Sequence, residues 1–431
     1  MPKVQLITMG CSKNRVDSEH LLRQIAAAGW GISPEGEPLE AAGVDTVLIN
    51  TCGFIGDAKE ESIGMILQAG RAKREGLIRR IFVFGCLSQR YAAELPGLLP
   101  EVDGFFGAAD HAAILAALGL PLRPELAARR HLTTPSHYAY LKIAEGCDRR
   151  CSYCAIPLIR GKQVSKPVET LVGEATKLAE SGVKELMLIA QDLTYYGMDL
   201  YKRRDLERLL RKIANVKGIE WIRLHYAYPI NFPYEILDVM NEYSNICRYL
   251  DIPLQHVSEE VLKSMGRGGN REQMYRLIER IRSKVPGIAI RTTLLSGYPV
   301  ETREHHKELL QFVKDMRFDR LGFFSYSQEE GTPAYPLGDP IKEREKNRRI
   351  EELIATQEEI AYDLNQQKVG QAMKVIIDSE EKDCYVGRTE FDSPEVDDAV
   401  IITKDKKLEI GNFYNVLIEK ADHFDLYGKI I

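Results

Sequence analysis

The run EGCDRRCSYCAIP, residues 145–157, carries cysteines at 147, 151 and 154, and its C-x-x-x-C-x-x-C spacing decides how the chain is read. Gaps of three and two residues let one loop wrap three thiolates around one small metal centre. A structural zinc site wants four ligands, so that a tetrahedron closes. No fourth cysteine or histidine lies nearby, and the closest histidine, His137, is ten residues upstream. Three protein ligands on a four-cornered iron–sulfur cluster leave one iron open for chemistry. A zinc knuckle borrowing a distant ligand is the competing reading.

Working outward, the loop follows the strand pattern YLKIAEG (140–146), the first of six. The others are ELMLIAQD (185–192), WIRLHYAYP (221–229), YLDIPLQ (249–255), AIRTTLLSGYP (289–299) and RLGFFSYS (320–327), with amphipathic helical patterns between them. Six βα units over residues 135–366 predict a partial (β/α)6 barrel of the TIM kind, open on one side. Such barrels carry their chemistry at the carboxyl ends of the strands, where the cysteine loop falls.

Upstream, KVQLITMG (3–10), DTVLIN (45–50) and RIFVFG (80–85) alternate with helical patterns. Short apolar strands between amphipathic helices predict a parallel α/β sheet domain over 1–130, covered on both faces. Cys11, Cys52 and Cys86 each lie just past one of these strands. That edge is where open α/β sheets bind ligands, so three thiols distant in sequence are expected to converge on a second metal cluster. The plainer alternative is that they are buried as small hydrophobes.

Downstream of a long charged helix, the runs MKVIID (373–378), CYVGRTE (384–390), DAVIIT (398–403), YNVLIEK (414–420) and DLYGKII (425–431) predict a small antiparallel β-barrel over 367–431. From 368 to 431 there are 9 Lys/Arg against 14 Asp/Glu. Such a surface suits a basic protein better than a phosphate backbone, unless the charge merely aids solubility.

The whole chain, 431 residues with 44% hydrophobic and 28% charged residues, has the composition of two or three globular domains. No apolar run approaches a membrane span, and the start shows no secretory h-region. Eight cysteines without such a signal predict a reducing, cytoplasmic setting. A net charge of −5 argues against nucleic-acid backbone binding as the dominant interaction.

The cysteine loop, with Tyr153 before its last cysteine, resembles the signature of radical S-adenosylmethionine enzymes. MGCSKNRVDSE (9–19), INTCGFI (49–55), FGCLSQRY (84–91), IPLIRGK (156–162) and YLDIPLQHVSEEVLKSMGRG (249–268) extend the resemblance over the chain. Together with the three-domain layout they are similar to the methylthiotransferase family, whose last domain is an OB-like TRAM barrel. One branch of that family modifies isopentenyl-adenosine in tRNA. The other modifies an aspartate of small-subunit ribosomal protein twelve, and SKNRVDSE, RLHYAYP (223–229), FDRLGFFSYSQEEGTPA (318–334) and GRTEFDSPEVDDAV (387–400) resemble this second branch. Two departures stand out. Val300 replaces a usual glycine in SGYPVETRE (296–304), implying a changed turn, and Asp397–Asp398 stands where aspartate–glycine is usual.

The resemblance implies two 4Fe–4S clusters, one on Cys147, Cys151 and Cys154 and one on Cys11, Cys52 and Cys86. It also implies S-adenosylmethionine as radical source and methyl donor, an external electron donor, and a methylthio group placed on the β-carbon of aspartate. Further cofactor contacts are sought at the barrel's strand ends: Gln191, Asp192, Gln255, Ser296 and Gly297, with Tyr153 in the loop. Each of the strand-end residues is as readily a structural cap. Arg149, Arg150, Arg160 and Lys162 flank the loop and suit a substrate carboxylate or form a solvated basic patch. His225 and His256 read as core histidines, and Cys247 and Cys384 as structural. The alternatives to this activity are the tRNA-modifying branch and a non-catalytic iron–sulfur electron carrier.

Overall fold

A computed structural model describes all 431 residues. Strands β1 (Lys3–Thr8), β2 (Gly31–Ser33), β3 (Thr46–Thr51), β4 (Arg80–Gly85) and β5 (Gly104–Phe105) form a wholly parallel sheet in the order β2-β1-β3-β4-β5. Side chains alternate across it. Val47 and Ile49 pack with Ile66 and Ala69 of the helix Gly56–Arg74, while Leu48 between them packs with Leu21, Leu22 and Ile25 of helix α1 (Ser12–Ala27). Burial on both faces is why these strands read as nearly unbroken apolar runs.

The second sheet also runs parallel. Strand β6 (Tyr138–Lys142) is followed by a two-residue hairpin, β7 (Ala144–Glu145) with β8 (Val164–Ser165), that pinches the ends of the cysteine loop together. Strands β9 (Glu185–Ile189), β10 (Trp221–Leu224), β11 (Ile246–Asp251), β12 (Ala289–Ser296) and β13 (Arg320–Ser325) complete a six-stranded partial barrel in sequential order, with β6 and β13 as its edges. Leu186 and Leu188 of β9 join a 50-residue core shared with the outer helices, whereas Met187 and Ile189 pack with Tyr138 and Tyr140 on the inner side. The β6 edge is covered by the first domain, and Arg130 Nη1 donates to the Tyr140 carbonyl at 2.6 Å.

The helix Glu343–Gln366 leads into a closed five-stranded barrel of β14 (Ala372–Glu380), β15 (Cys384–Thr389), β16 (Val400–Thr403), β17 (Phe413–Ala421) and β18 (Leu426–Ile430). It is not antiparallel throughout, as its hairpin-like runs predict. Strand β18 pairs antiparallel with β17 but parallel with β16, and that parallel pair closes the barrel.

The loop between β15 and β16 plugs the amino end of the large barrel. Arg223 donates to the Glu390 carbonyl at 2.6 Å, Tyr249 Oη to Asp397 at 2.8 Å, and Tyr138 Oη to Glu395 at 3.1 Å, while Arg320 pairs with Asp392 and Asp398. Arg388 binds Glu185 at 2.7 Å and Asp378 at 2.7 Å. Asp378, Glu390, Asp392, Glu395, Asp397 and Asp398 are therefore spent on groups within the chain. The acidic surplus that pointed to a dock for a basic protein is largely turned inward. The solvent-facing surface of the small barrel is close to balanced in charge.

Candidate active site

Cys11 caps α1 just past β1, Cys52 directly follows β3, and Cys86 directly follows β4 and opens a short helix, Cys86–Arg90. Because β1, β3 and β4 are adjacent, the three thiols emerge side by side at one edge. Each is flanked by a glycine, and all three have a steric reason: a Cβ on Gly53 would lie 2.7 Å from the Leu87 backbone nitrogen. A Cβ on Gly10 (φ +86°) would lie 2.9 Å from Cys52 Sγ, and one on Gly85 (φ +101°) 2.6 Å from the Thr51 carbonyl oxygen. Burial pushes the Cys52 thiol up to about 11, with Cys11 and Cys86 near enough to add to the shift. Burial also raises Cys86, against which the Arg160 cation acts.

The second trio sits at the carboxyl end of β6. Cys147 N donates to the Gly161 carbonyl at 3.1 Å and Ser152 N to the Met265 carbonyl at 2.8 Å. The next glycine, Gly266 (φ +65°), lets that chain approach, since a Cβ there would lie 2.5 Å from the Arg150 carbonyl oxygen. Burial pushes Cys147 up to about 11 and Cys154 to about 12, and both also sense Cys151. His137 is excluded as a ligand of this loop. It lies at the opposite end of β6, where its Nε2 meets Asp378 of the small barrel at 2.8 Å.

No three His, Cys, Asp or Glu side chains stand close enough to close around a single ion. Two trios of clustered thiols, each without a fourth protein ligand, fit the larger iron–sulfur group rather than tetrahedral zinc. The Oε1 of Gln191 is buried beside the loop with no donor, while the amide nitrogen reaches Glu145 at 3.3 Å, so an acceptor stands there for the N–H or O–H of a ligand.

The other predicted contacts divide. Asp192 holds Arg149 at 2.7 Å, and that guanidinium stacks 4.0 Å from the centroid of Tyr228. Gln255 sits in the left-handed region (φ +71°), tied into the sheet by its backbone, with its side-chain amide free of protein partners. Ser296 and Gly297 do not open onto this edge. Both bond Glu301, which Arg349 holds at 2.9 Å, and the position of a Gly297 Cβ is filled by Lys346. Val300 needs no left-handed backbone and packs against the small apolar cluster that includes Tyr298 and Tyr326. His225 bonds Ser393 at 3.1 Å, and burial holds it well below its ordinary value. Burial lowers His256 to about 3, and its Nδ1 accepts from Ser258 N at 3.0 Å. Cys247 lies in the barrel floor and Cys384 at the start of β15, away from both trios.

Of the four basic residues flanking the loop, Arg150 and Lys162 are exposed and Arg149 is engaged as above. Arg160 is a link between domains rather than a free anion site. It donates to Asp17 at 2.9 Å, Glu145 at 3.2 Å, Asn14 at 2.5 Å and Cys86 Sγ at 3.3 Å. Lys142 binds the same two carboxylates, and Arg90 and Lys59 grip Glu329 at 2.6 and 3.0 Å. Arg267 is a site residue that sequence reasoning missed. Its Nη1 donates to Tyr153 Oη at 3.1 Å and faces Cys151 Sγ at 3.5 Å, and its Nη2 binds the Pro253 carbonyl at 2.5 Å. The SMGRG run (264–268) after a predicted helix is its only sequence signal.

A partial βα barrel with an open-cornered cysteine loop at its carboxyl edge is the frame of a radical S-adenosylmethionine enzyme. Residues 141–313 match the Radical SAM superfamily, 369–431 the TRAM domain, and 3–107 the Uncharacterized protein family UPF0004. Among solved structures, the radical S-adenosylmethionine methyltransferase TsrM from Kitasatospora setae is similar at TM-score 0.56 and 15% identity, covering 88% of this chain and 79% of its own. The cobalamin-dependent enzyme OxsB is similar at TM-score 0.53 and 14% identity, over 82% of this chain and 56% of its own. These likenesses concern the fold. The proteins named Ribosomal protein uS12 methylthiotransferase RimO from Phocaeicola vulgatus and Parabacteroides distasonis are 53% and 51% identical, each over 430 residues, covering 99% and 100% of this chain and 99% of theirs. That from Cytophaga hutchinsonii is 53% identical over 100% of this chain and 98% of its own. The chain belongs to this RimO family of radical S-adenosylmethionine methylthiotransferases.

Proposed function

We propose that this enzyme adds a methylthio group to the β-carbon of an aspartate in ribosomal protein uS12. The observation that carries the reading is the full-length identity of about half to relatives of that name, joined to two thiol trios at two facing strand edges. Cys147, Cys151 and Cys154 would hold one 4Fe–4S cluster, and Cys11, Cys52 and Cys86 a second. With S-adenosylmethionine and an external one-electron donor, these groups supply hydrogen abstraction from an unactivated carbon and delivery of a methylated sulfur.

The chain's own residues position and shield. The hairpin of β7 and β8 and the Ser152–Met265 bond hold the cysteine loop in shape, and Arg267 steadies Tyr153 and Cys151. Gln191 and Gln255 present amide groups at the same edge for a polar cofactor. Arg160, Lys142, Asp17 and Glu145 fix one domain against the other, so that two reactive centres keep a set separation.

The test is expression in a host lacking this activity, followed by intact-mass measurement of uS12 and nucleoside analysis of tRNA. A methylthio mass shift on one uS12 aspartate is expected. A modified tRNA nucleoside with unmodified uS12 would overturn the reading, and anaerobic assays yielding no 5′-deoxyadenosine would point to an electron carrier.

A further inference from the structure

One cation at the seam between the first domain and the barrel has no anion. Lys13 is 8% exposed, two residues past Cys11 on α1. Its Nζ lies 3.3 Å from the centroid of the Tyr226 ring and meets no carboxylate or carbonyl. Its neighbours are all matched: Arg15 with Glu35 at 3.5 Å, Arg149 with Asp192 at 2.7 Å, Lys142 and Arg160 with Asp17 and Glu145. Asp17, one helical turn along α1, is the natural partner for Lys13, yet both its oxygens are drawn to Lys142 and Arg160.

Tyr226 is itself fixed. It follows β10 with φ +65°, its N–H donates to Asp251 at 3.2 Å, and its carbonyl accepts from Leu193 N at 3.1 Å. Lys13 thus reaches from the edge bearing one thiol trio onto the barrel edge bearing the other. Its stem is buried while its ammonium stays within reach of solvent, with an aromatic face and no anion beside it.

We infer that Lys13 is a substrate-positioning residue that binds the side-chain carboxylate of the target aspartate; this rests on the uS12 reading above. The compact ammonium suits one carboxylate oxygen and would hold the neighbouring β-carbon at the seam between the two domains. The other carboxylate in the reaction belongs to S-adenosylmethionine, and the two sources are separable by experiment.

The experiment uses the reconstituted full-length enzyme and measures binding of uS12, of uS12 with the modified aspartate changed to asparagine, and of S-adenosylmethionine. The wild-type enzyme is expected to bind the aspartate form about 10- to 100-fold more tightly than the asparagine form, the worth of one charge-assisted hydrogen bond. Lys13→Met should erase that preference without changing S-adenosylmethionine affinity or iron content, and Lys13→Arg should restore part of it. Equal binding of the two uS12 forms by the wild-type enzyme overturns the inference without any enzyme variant. So does a preference that survives in Lys13→Met, or a loss confined to S-adenosylmethionine binding. Absence of any uS12 mass shift with the wild-type enzyme instead overturns the functional reading on which the inference rests.

Discussion

Arg160 places its Nε 3.3 Å from the Sγ of Cys86, so a side chain six residues past the last cysteine of the barrel loop ends on a thiol of the other domain. The same guanidinium meets Asp17 and Glu145, and with its side chain 3% exposed it works where water screens little. A hydrogen bond to a cluster-bearing sulfur favours the more reduced, more negative state. Arg160→Met should therefore lower the midpoint potential of the cluster proposed on Cys11, Cys52 and Cys86 by about 50–100 mV, measured by potentiometry followed by electron paramagnetic resonance. The metal-free variant should also lose about 3 kcal/mol in denaturant unfolding, because Asp17 and Glu145 each lose a cation.

Arg267 supports the other trio. Removing it frees Tyr153 and leaves the Pro253 carbonyl and Cys151 without their shared donor. Arg267→Ala should weaken iron retention at that site by about 10- to 100-fold under chelator challenge, with the first-domain site unaffected. Arg267→Lys should recover little, because a point charge does not reach three partners from one plane.

Iron content separates the trios. Two 4Fe–4S clusters correspond to about eight iron per chain after reconstitution. A Cys11/Cys52/Cys86→Ala variant and a Cys147/Cys151/Cys154→Ala variant should each retain about half. Full iron in either would remove that trio from the ligand set.

Asp398 gives a pH dependence. Burial raises its carboxyl to about 7 although Arg320 stands 3.1 Å away, because Asp392 already occupies the same guanidinium and repels a second negative charge. The folded state therefore binds this proton more tightly than the unfolded chain, whose carboxyl titrates near 3.8. Stability from this group is complete below about 4, is lost as pH rises toward about 7, and is flat above. Asp398→Asn should stabilise the protein by on the order of 2 kcal/mol at pH 8 and by less than half of that at pH 5, read from denaturant midpoints.

Local spacing makes the three strand-end cysteines and the C-x-x-x-C-x-x-C loop legible without any fold. Apolar strands burying both faces leave a plain signature, and the residues just past such a strand lie at the ligand edge. The acid count of the last domain is legible as a number but not as a direction. Asp392, Asp397 and Asp398 lie in a loop without periodicity, and their partners Arg320, Tyr249 and Arg291 are inward positions of distant strands. Arg160 and Lys13 are obscure for the same reason, since one finds its partners in another domain and the other is informative through lacking one. Ser296 and Gly297 occupy the predicted strand end, yet Glu301, five and four residues on, takes up both.

The loop 389–398 seals the amino end of the large barrel with buried ion pairs and tyrosine hydrogen bonds. A ligand of the carboxyl edge, where both thiol trios lie, therefore has no route through the amino end of the barrel.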